Sequence, residues 1–193
     1  MSRKVKPTVN SFVPPEDYLA LERKAESKSE YFDGEIHAMT GASRRHNLIT
    51  LNVASELRAR LRTSNCETYA NDMRVKVSSG NVYTYPDVVV VGDEPKLEDE
   101  HRDTVLNPTL LAEVLSKSTA NYDRTVKFGH YRALESLAEY LLIAQDEYRV
   151  EQYTRQPGGR WLLTDIRGLE SVVELTSVGC ALRLAEIYER VEL

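Results

Sequence analysis

Two stretches decide the fold: Tyr85-Pro86-Asp87-Val88-Val89-Val90-Val91 and Leu110-Leu111-Ala112-Glu113-Val114-Leu115. Each is a short apolar run rich in β-branched and aliphatic residues, the signature of a buried strand. Each also carries one acid, Asp87 and Glu113. An unpaired buried charge costs several kcal/mol, on the order of a domain's whole stability margin. Two such acids on neighbouring strands repel unless a cation lies between them. Hard divalent ions are held by carboxylates in this way, so the pair predicts Asp87 and Glu113 as ligands of one metal ion.

The 193 residues suffice for one domain with a real core. The expected organisation is an arm over 1–13 followed by a single domain over 14–193. Charged residues make up 28% and hydrophobic residues 41%, as in a globular protein in water. No apolar stretch reaches membrane-spanning length, and the basic N-terminus MSRKVKPTVNSF has no apolar signal core. Cys66 and Cys180 are far apart, and reduced thiols are the reading for a chain without an export signal. A cytoplasmic location follows as an expectation. The net charge of −5 weighs against a broad basic nucleic-acid surface, although local basic patches survive an acidic total.

Around the two strands the elements fall in order. Pro14-Pro15-Glu16-Asp17 opens a helix running to Ala25, with proline and acids in its first turn. Asp33-Gly34 between apolar residues predicts a tight hairpin, because that turn needs positive φ. Gly41-Ala42-Ser43 leads into a second helix with Leu48, Leu51, Leu57 and Leu61 as its apolar side. Cys66–Val77 alternates as one strand, turned by 78–81 into the Asp87 strand. Residues 92–107 read as a surface loop. A third helix starts at 118–123 and runs to about Leu137. Strands follow at 138–144, 149–154, 161–165 and 172–175, with a closing helix over 184–190. The order predicts an α/β fold, a central mixed β-sheet flanked by helices.

Five motifs stand in this order: Tyr31-x-Asp33-Gly34-Glu35-Ile36; Gly41-Ala42-Ser43-x-x-His46-Asn47; Pro86-Asp87-Val88-Val89-Val90; Glu113-Val114-Leu115-Ser116-x-Ser118-Thr119; and Tyr122-Asp123-Arg124-x-x-Lys127-x-x-x-Tyr131. Together they resemble the Uma-two family of restriction endonucleases, a branch of the PD-(D/E)XK nuclease superfamily. The resemblance spans about Pro14 to Val191. It implies a restriction-endonuclease-like core with acids on adjacent strands binding Mg²⁺ or Mn²⁺, and cleavage of DNA, duplex DNA being the expected substrate. The superfamily places a lysine two residues after the strand acid, where this chain has Leu115. Lys127 on the following helix is the leading substitute and Lys117 the other candidate. Lys127 is expected on an exposed helix position that tolerates alanine.

The remaining candidates are weaker. The resemblance gives Glu35 a role at the metal site; a solvent-facing acid after a tight turn is the alternative. Asp72 interrupts its strand and could join the metal, or be a solvated outer-face acid. His46 is a candidate substrate contact, though such a histidine is more often an anchor. Arg44 and Arg45 could bind phosphate at the helix start, where backbone amides favour anions. No histidine pair has zinc spacing. A metal-dependent DNA endonuclease is the leading reading, with an inactive binding or assembly module of the same fold as the alternative. A two-acid glycosidase would need aromatic sugar platforms, and the lone Trp161 lies far from both acids in sequence. Cutting two antiparallel strands with one site per chain predicts a two-fold homodimer.

Overall fold

A bent antiparallel hairpin ties the two main sheets of the protein together. The computed structural model describes residues 12–77, 81–116 and 119–193. Strands β1 (Ser29–Phe32) and β2 (Glu35–Ala38) form the predicted tight hairpin, with Asp33 and Gly34 at φ 45° and 100°. The stretch expected to be one strand over Cys66–Val77 is two: β3 (Glu67–Ala70) and β4 (Arg74–Val77). The return arm is divided in the same way, into β5 (Val82–Thr84) and β6 (Val88–Val91). β3 pairs with β6 and β4 with β5, both antiparallel, so the hairpin bends between Asn71 and Asp87. The cause is local. Asn71 takes φ 61°, and Pro86 has no N–H to give to a ladder.

The inner halves of the hairpin join a five-stranded sheet, order β2-β1-β5-β4-β7, with β7 at Thr104–Val105. The loop expected over 92–107 therefore contains a short strand. The outer halves join a six-stranded mixed sheet. Its other members are β8 (Leu110–Leu115), β9 (Glu139–Ala144), β10 (Arg149–Arg155) and β11 (Trp161–Arg167), in the order β11-β10-β9-β8-β6-β3. Only β8 and β9 run parallel within it. A separate hairpin of β12 (Val172–Leu175) and β13 (Cys180–Arg183) packs nearby, β13 being a strand that sequence reading missed. The α/β class with helices flanking mixed sheets is as expected, although the strands divide among three sheets.

Side-chain alternation along β6 and β8 supplies both faces of the large sheet. Val88, Val90, Leu110, Ala112 and Val114 face α2 (Arg44–Arg60) and α5 (Leu184–Ile187). Val89, Val91, Leu111 and Leu115 face Phe128, Tyr131, Leu134 and Leu137. α2 buries Ile49, Val53 and Leu57, an i, i+4, i+8 stripe. Of the leucines expected on that side, Leu57 and Leu61 are buried and Leu48 packs against the core, whereas Leu51 is 61% exposed. The expected long third helix is α3 (Ala120–Tyr122), a π-helical turn (Asp123–Lys127) and α4 (Phe128–Tyr131). It stops before Leu137, and the Arg155 guanidinium takes the carbonyls of Arg132, Leu134 and Leu137 as the chain unwinds.

α1 (Pro15–Glu22) is held by charge at its end. Arg23 donates to Asp99 and Asp103, and Asp103 also pairs with the buried Arg74. Arg23 first, then Arg74, hold the Asp103 carboxyl well below its usual range. A carboxylate depressed in the folded state stabilises above its unfolded pKa, and that contribution fades as the pH falls below it. Asp103→Asn leaves the Arg74 guanidinium buried without its carboxylate. The expected loss is about 3 kcal/mol at pH 7, the lower end for a broken buried pair because Asp103 is one-third exposed. Thermal melts should show the deficit at pH 7 and its shrinkage toward pH 3; equal melting temperatures at pH 7 would refute the tether.

Candidate active site

Asp87 stands not inside a strand but at the bend where the hairpin leaves the small sheet and enters the large one. The β6–β8 ladder begins one residue later, with Val88 opposite Ala112. The Asp87 carboxylate continues that ladder with its side chain: Oδ2 accepts the Val114 amide at 2.7 Å. Oδ1 meets His46 Nε2 at 2.9 Å. His46 arrives there because Ser43 caps α2 and accepts the His46 amide at 3.1 Å, fixing the first turn. The bend that broke the expected strand is thus what frees the Asp87 carboxylate to reach His46 and the Val114 amide.

Glu113 sits inside β8, its carboxylate turned toward Lys127 and Tyr131. Lys127 Nζ lies 3.2 Å from Glu113 Oε1, 2.9 Å from Glu30 Oε1 and 3.7 Å from Asp123 Oδ1. The Tyr131 hydroxyl donates to Glu113 Oε1 at 3.0 Å and lies 3.0 Å from Thr84 Oγ1. The π turn explains how one helix supplies three of these groups. Eight residues of regular α-helix overshoot two full turns by roughly 80°. The wider π turn slows the rotation, so Asp123, Lys127 and Tyr131 all remain buried on one side. Such turns recur at functional sites.

The electrostatics follow from burial. Glu113 is pushed well above the usual carboxyl range by desolvation, against the pull of Lys127; Asp87, Asp123 and Glu30 push the same way as burial. Asp123 is raised for the same reason. Burial works against the Lys127 charge, but Glu113, Glu30 and Asp123 outweigh it and hold the lysine as an ammonium above its ordinary pKa. One ammonium faces three acidic side chains, and in two of them, Glu113 and Asp123, burial favours the protonated form.

The structure brings together Asp87, Glu113, Lys127 and His46 from the sequence candidates. Lys127 is buried, contrary to the expectation of an exposed position. Glu35 is exposed on β2 beside His37, and Asp72 is 83% exposed and paired with Lys28 at 2.6 Å. Neither belongs to the cluster: the broken strand turns Asp72 outward, and all of β2 faces solvent. Arg44 is exposed and Arg45 half-buried in the first turn of α2, and among the described residues neither has a carboxylate partner. Lys117 lies outside the described residues. Sequence reading missed Glu30, a buried acid in β1. Its signal was the same as for Asp87 and Glu113, an acid beside apolar strand residues, here Tyr31 and Phe32. Asp123, four residues before Lys127, pairs with it as that helical spacing allows.

Asp87 and Glu113 offer carboxyl oxygens, the donor type that suits a hard divalent ion such as Mg²⁺. Among the described residues no group of three or more His, Cys, Asp or Glu is placed to hold a metal ion. Zinc is a poor match, since no cysteine joins His46 there.

Comparison with known proteins bears on the family and the fold. A family model described as "Putative restriction endonuclease", Uma2, matches residues 15–185. The uncharacterized protein sll1609 of Synechocystis sp. is 42% identical over 160 residues, covering 83% of this chain and 90% of that protein. A second uncharacterized Synechocystis protein, slr1290, is 33% identical over 174 residues, 90% of each. Among solved structures, a crystal structure titled as a putative nuclease belonging to DUF820, from Anabaena variabilis, superposes with a TM-score of 0.75 at 17% identity. It covers 91% of this chain and 97% of that one. The fold is therefore that of a nuclease-family protein.

Removing the ammonium tests the cluster. Lys127→Ala leaves Glu30, Glu113 and Asp123 facing one another without it. The expected cost at pH 7.5 is about 3–5 kcal/mol, that of a broken buried pair. Carboxyls with raised pKa favour the folded state when protonated, so the deficit shrinks as the pH falls toward 5. A melting temperature at pH 7.5 equal to that of the parent would contradict this arrangement.

Proposed function

The chain belongs to the Uma2 family of restriction-endonuclease-like proteins, and we propose that it hydrolyses phosphodiester bonds in duplex DNA with Mg²⁺ or Mn²⁺ held by Asp87 and Glu113. The observation that carries this reading is the meeting of Asp87, Glu113 and the Lys127 ammonium where β6, β8 and the π turn converge. When bound, the ion supplies a water of lowered pKa and neutralises charge on the scissile phosphate. The chain's own groups do the rest. His46 holds Asp87 Oδ1, and the Val114 amide holds Oδ2, so that carboxylate is oriented before any ligand arrives. Tyr131 and Lys127 fix Glu113 in the same way. The Lys127 ammonium is a preorganised positive charge for the developing phosphate anion. Arg44 and Arg45, without carboxylate partners, contact the backbone phosphates beside the amide-rich start of α2.

A second reading has one specific observation in its favour. Lys127 is fully engaged with three carboxylates, and no three-ligand metal cluster is formed among the described residues. A catalytically inactive module of this fold would look the same. Cleavage separates the two. Plasmid and short duplex DNA incubated with Mg²⁺ or Mn²⁺ should be cut by the parent, and Asp87→Asn should cut at least ~10²-fold more slowly, the scale for losing one preorganised electrostatic group. Absence of cutting under all metals and DNA forms would favour the inactive module.

A pH-dependent test follows from Glu113. Burial raises its pKa, so the metal-free folded state gains stability at low pH and loses it as the pH rises through that pKa. The ion must displace the Glu113 proton, so it binds more tightly at high pH. Millimolar Mg²⁺ should raise the melting temperature more at pH 8 than at pH 5.5, by about 2–4 °C per kcal/mol of linkage. Asp87→Asn should remove the increment. An increment independent of pH would refute the role of Glu113.

A further inference from the structure

We infer that β11 is the homodimer interface, two copies of this chain pairing their β11 strands antiparallel about a two-fold axis at Thr164. Among the described strands β11 bonds only to β10, which leaves its outer backbone edge unpaired. It is one of the longest strands, seven residues, and Leu162 and Leu163 are 53% and 50% exposed. A long apolar edge of this kind is ordinarily blunted or covered. The opposite edge, β3, is only four residues long, so it offers a shorter template.

The occupant is argued from the strand itself. Ile166 packs toward the α2 side of the sheet and Trp161 toward the Phe128 side. By alternation Leu162 and Thr164 share the first face, and Leu163, Asp165 and Arg167 the second. A two-fold axis at Thr164 sets Leu162 opposite the partner's Ile166 on one face. On the other it sets Trp161 opposite the partner's Arg167, an aromatic–guanidinium pair. Thr164 meets its own copy, and Leu163 falls opposite the partner's Asp165, whose charge Arg149 and Arg167 already offset. Asp165 and Arg167 leave the strand neutral, and Asp165 is already neutralised by Arg149 and Arg167, so two copies approach without net repulsion. A second copy thus matches the strand in length and net charge and covers Leu162 with an apolar partner. The two six-stranded sheets would form one continuous sheet with both candidate sites repeated by the axis.

The mass of the full chain tests this without any substrate, so its failure is separate from failure of the nuclease reading. Light scattering at high micromolar concentration should give 2 × 22.0 kDa for the parent. The double variant Leu162→Lys, Leu163→Lys should run as a folded monomer with the parent's far-UV spectrum, its melting temperature lower than the parent's because the partner no longer stabilises the folded state. Opposed residues in an antiparallel pair have Cα atoms about 4.5–5.5 Å apart, within disulfide reach. Thr164→Cys treated with copper phenanthroline should therefore give an interchain disulfide that the parent, with only Cys66 and Cys180, does not form. A monomeric parent, a dimeric lysine variant, or no disulfide from Thr164→Cys would each overturn the proposal.

Discussion

The ion cluster around Lys127 is the constraint on which the rest of the structure depends. An ammonium with 8% of its side chain exposed holds Glu30 from β1, Glu113 from β8 and Asp123 from its own helix. Those elements belong to the small sheet, the large sheet and the layer covering it. The cluster therefore acts as a polar rivet through an otherwise apolar contact between Val89, Leu111, Tyr131 and Tyr140. Apolar side chains alone would tolerate sliding of the two sheets, whereas hydrogen-bonded charges accept few alternatives. The bent hairpin is the covalent counterpart of that rivet, passing from one sheet to the other twice.

Such a cluster is an expensive way to gain stability. Replacing buried ion pairs with well-packed apolar groups is often neutral or stabilising, and burial pushes the Glu113 carboxyl well above its usual range. Strain of this kind concentrates where chemistry is performed. The surrounding hydrogen bonds point the same way. Both oxygens of Asp87 and one of Glu113 are already engaged by His46, the Val114 amide, Lys127 and Tyr131. These contacts orient the carboxylates at the strand ends.

Much of this layout was legible in the sequence. The apolar runs around Asp87 and Glu113, the Asp33-Gly34 turn and the motif order set the fold class and the family. What escaped depends on long-range contacts. The break at Asn71 needs a left-handed residue that alternation cannot reveal, and it decides that Asp72 points to Lys28 and solvent rather than into the cleft. The burial of Lys127 follows from a π turn, and residue spacing alone reads as a regular helix. Glu30 was visible as a residue, but its partner lies 97 positions away in Lys127, and no local pattern joins them. In α2 only Leu51 was misplaced: the i, i+4 spacing of Ile49, Val53 and Leu57 leaves it on the solvent side.

The central claim is that Asp87 and Glu113 together hold a divalent ion. Calorimetric titration of the full chain with Mn²⁺ at pH 8 measures this without DNA or turnover. The account predicts one saturable site per chain that is lost in Glu113→Gln while the folded spectrum remains. No saturable binding by the parent, or unchanged binding by Glu113→Gln, would contradict it.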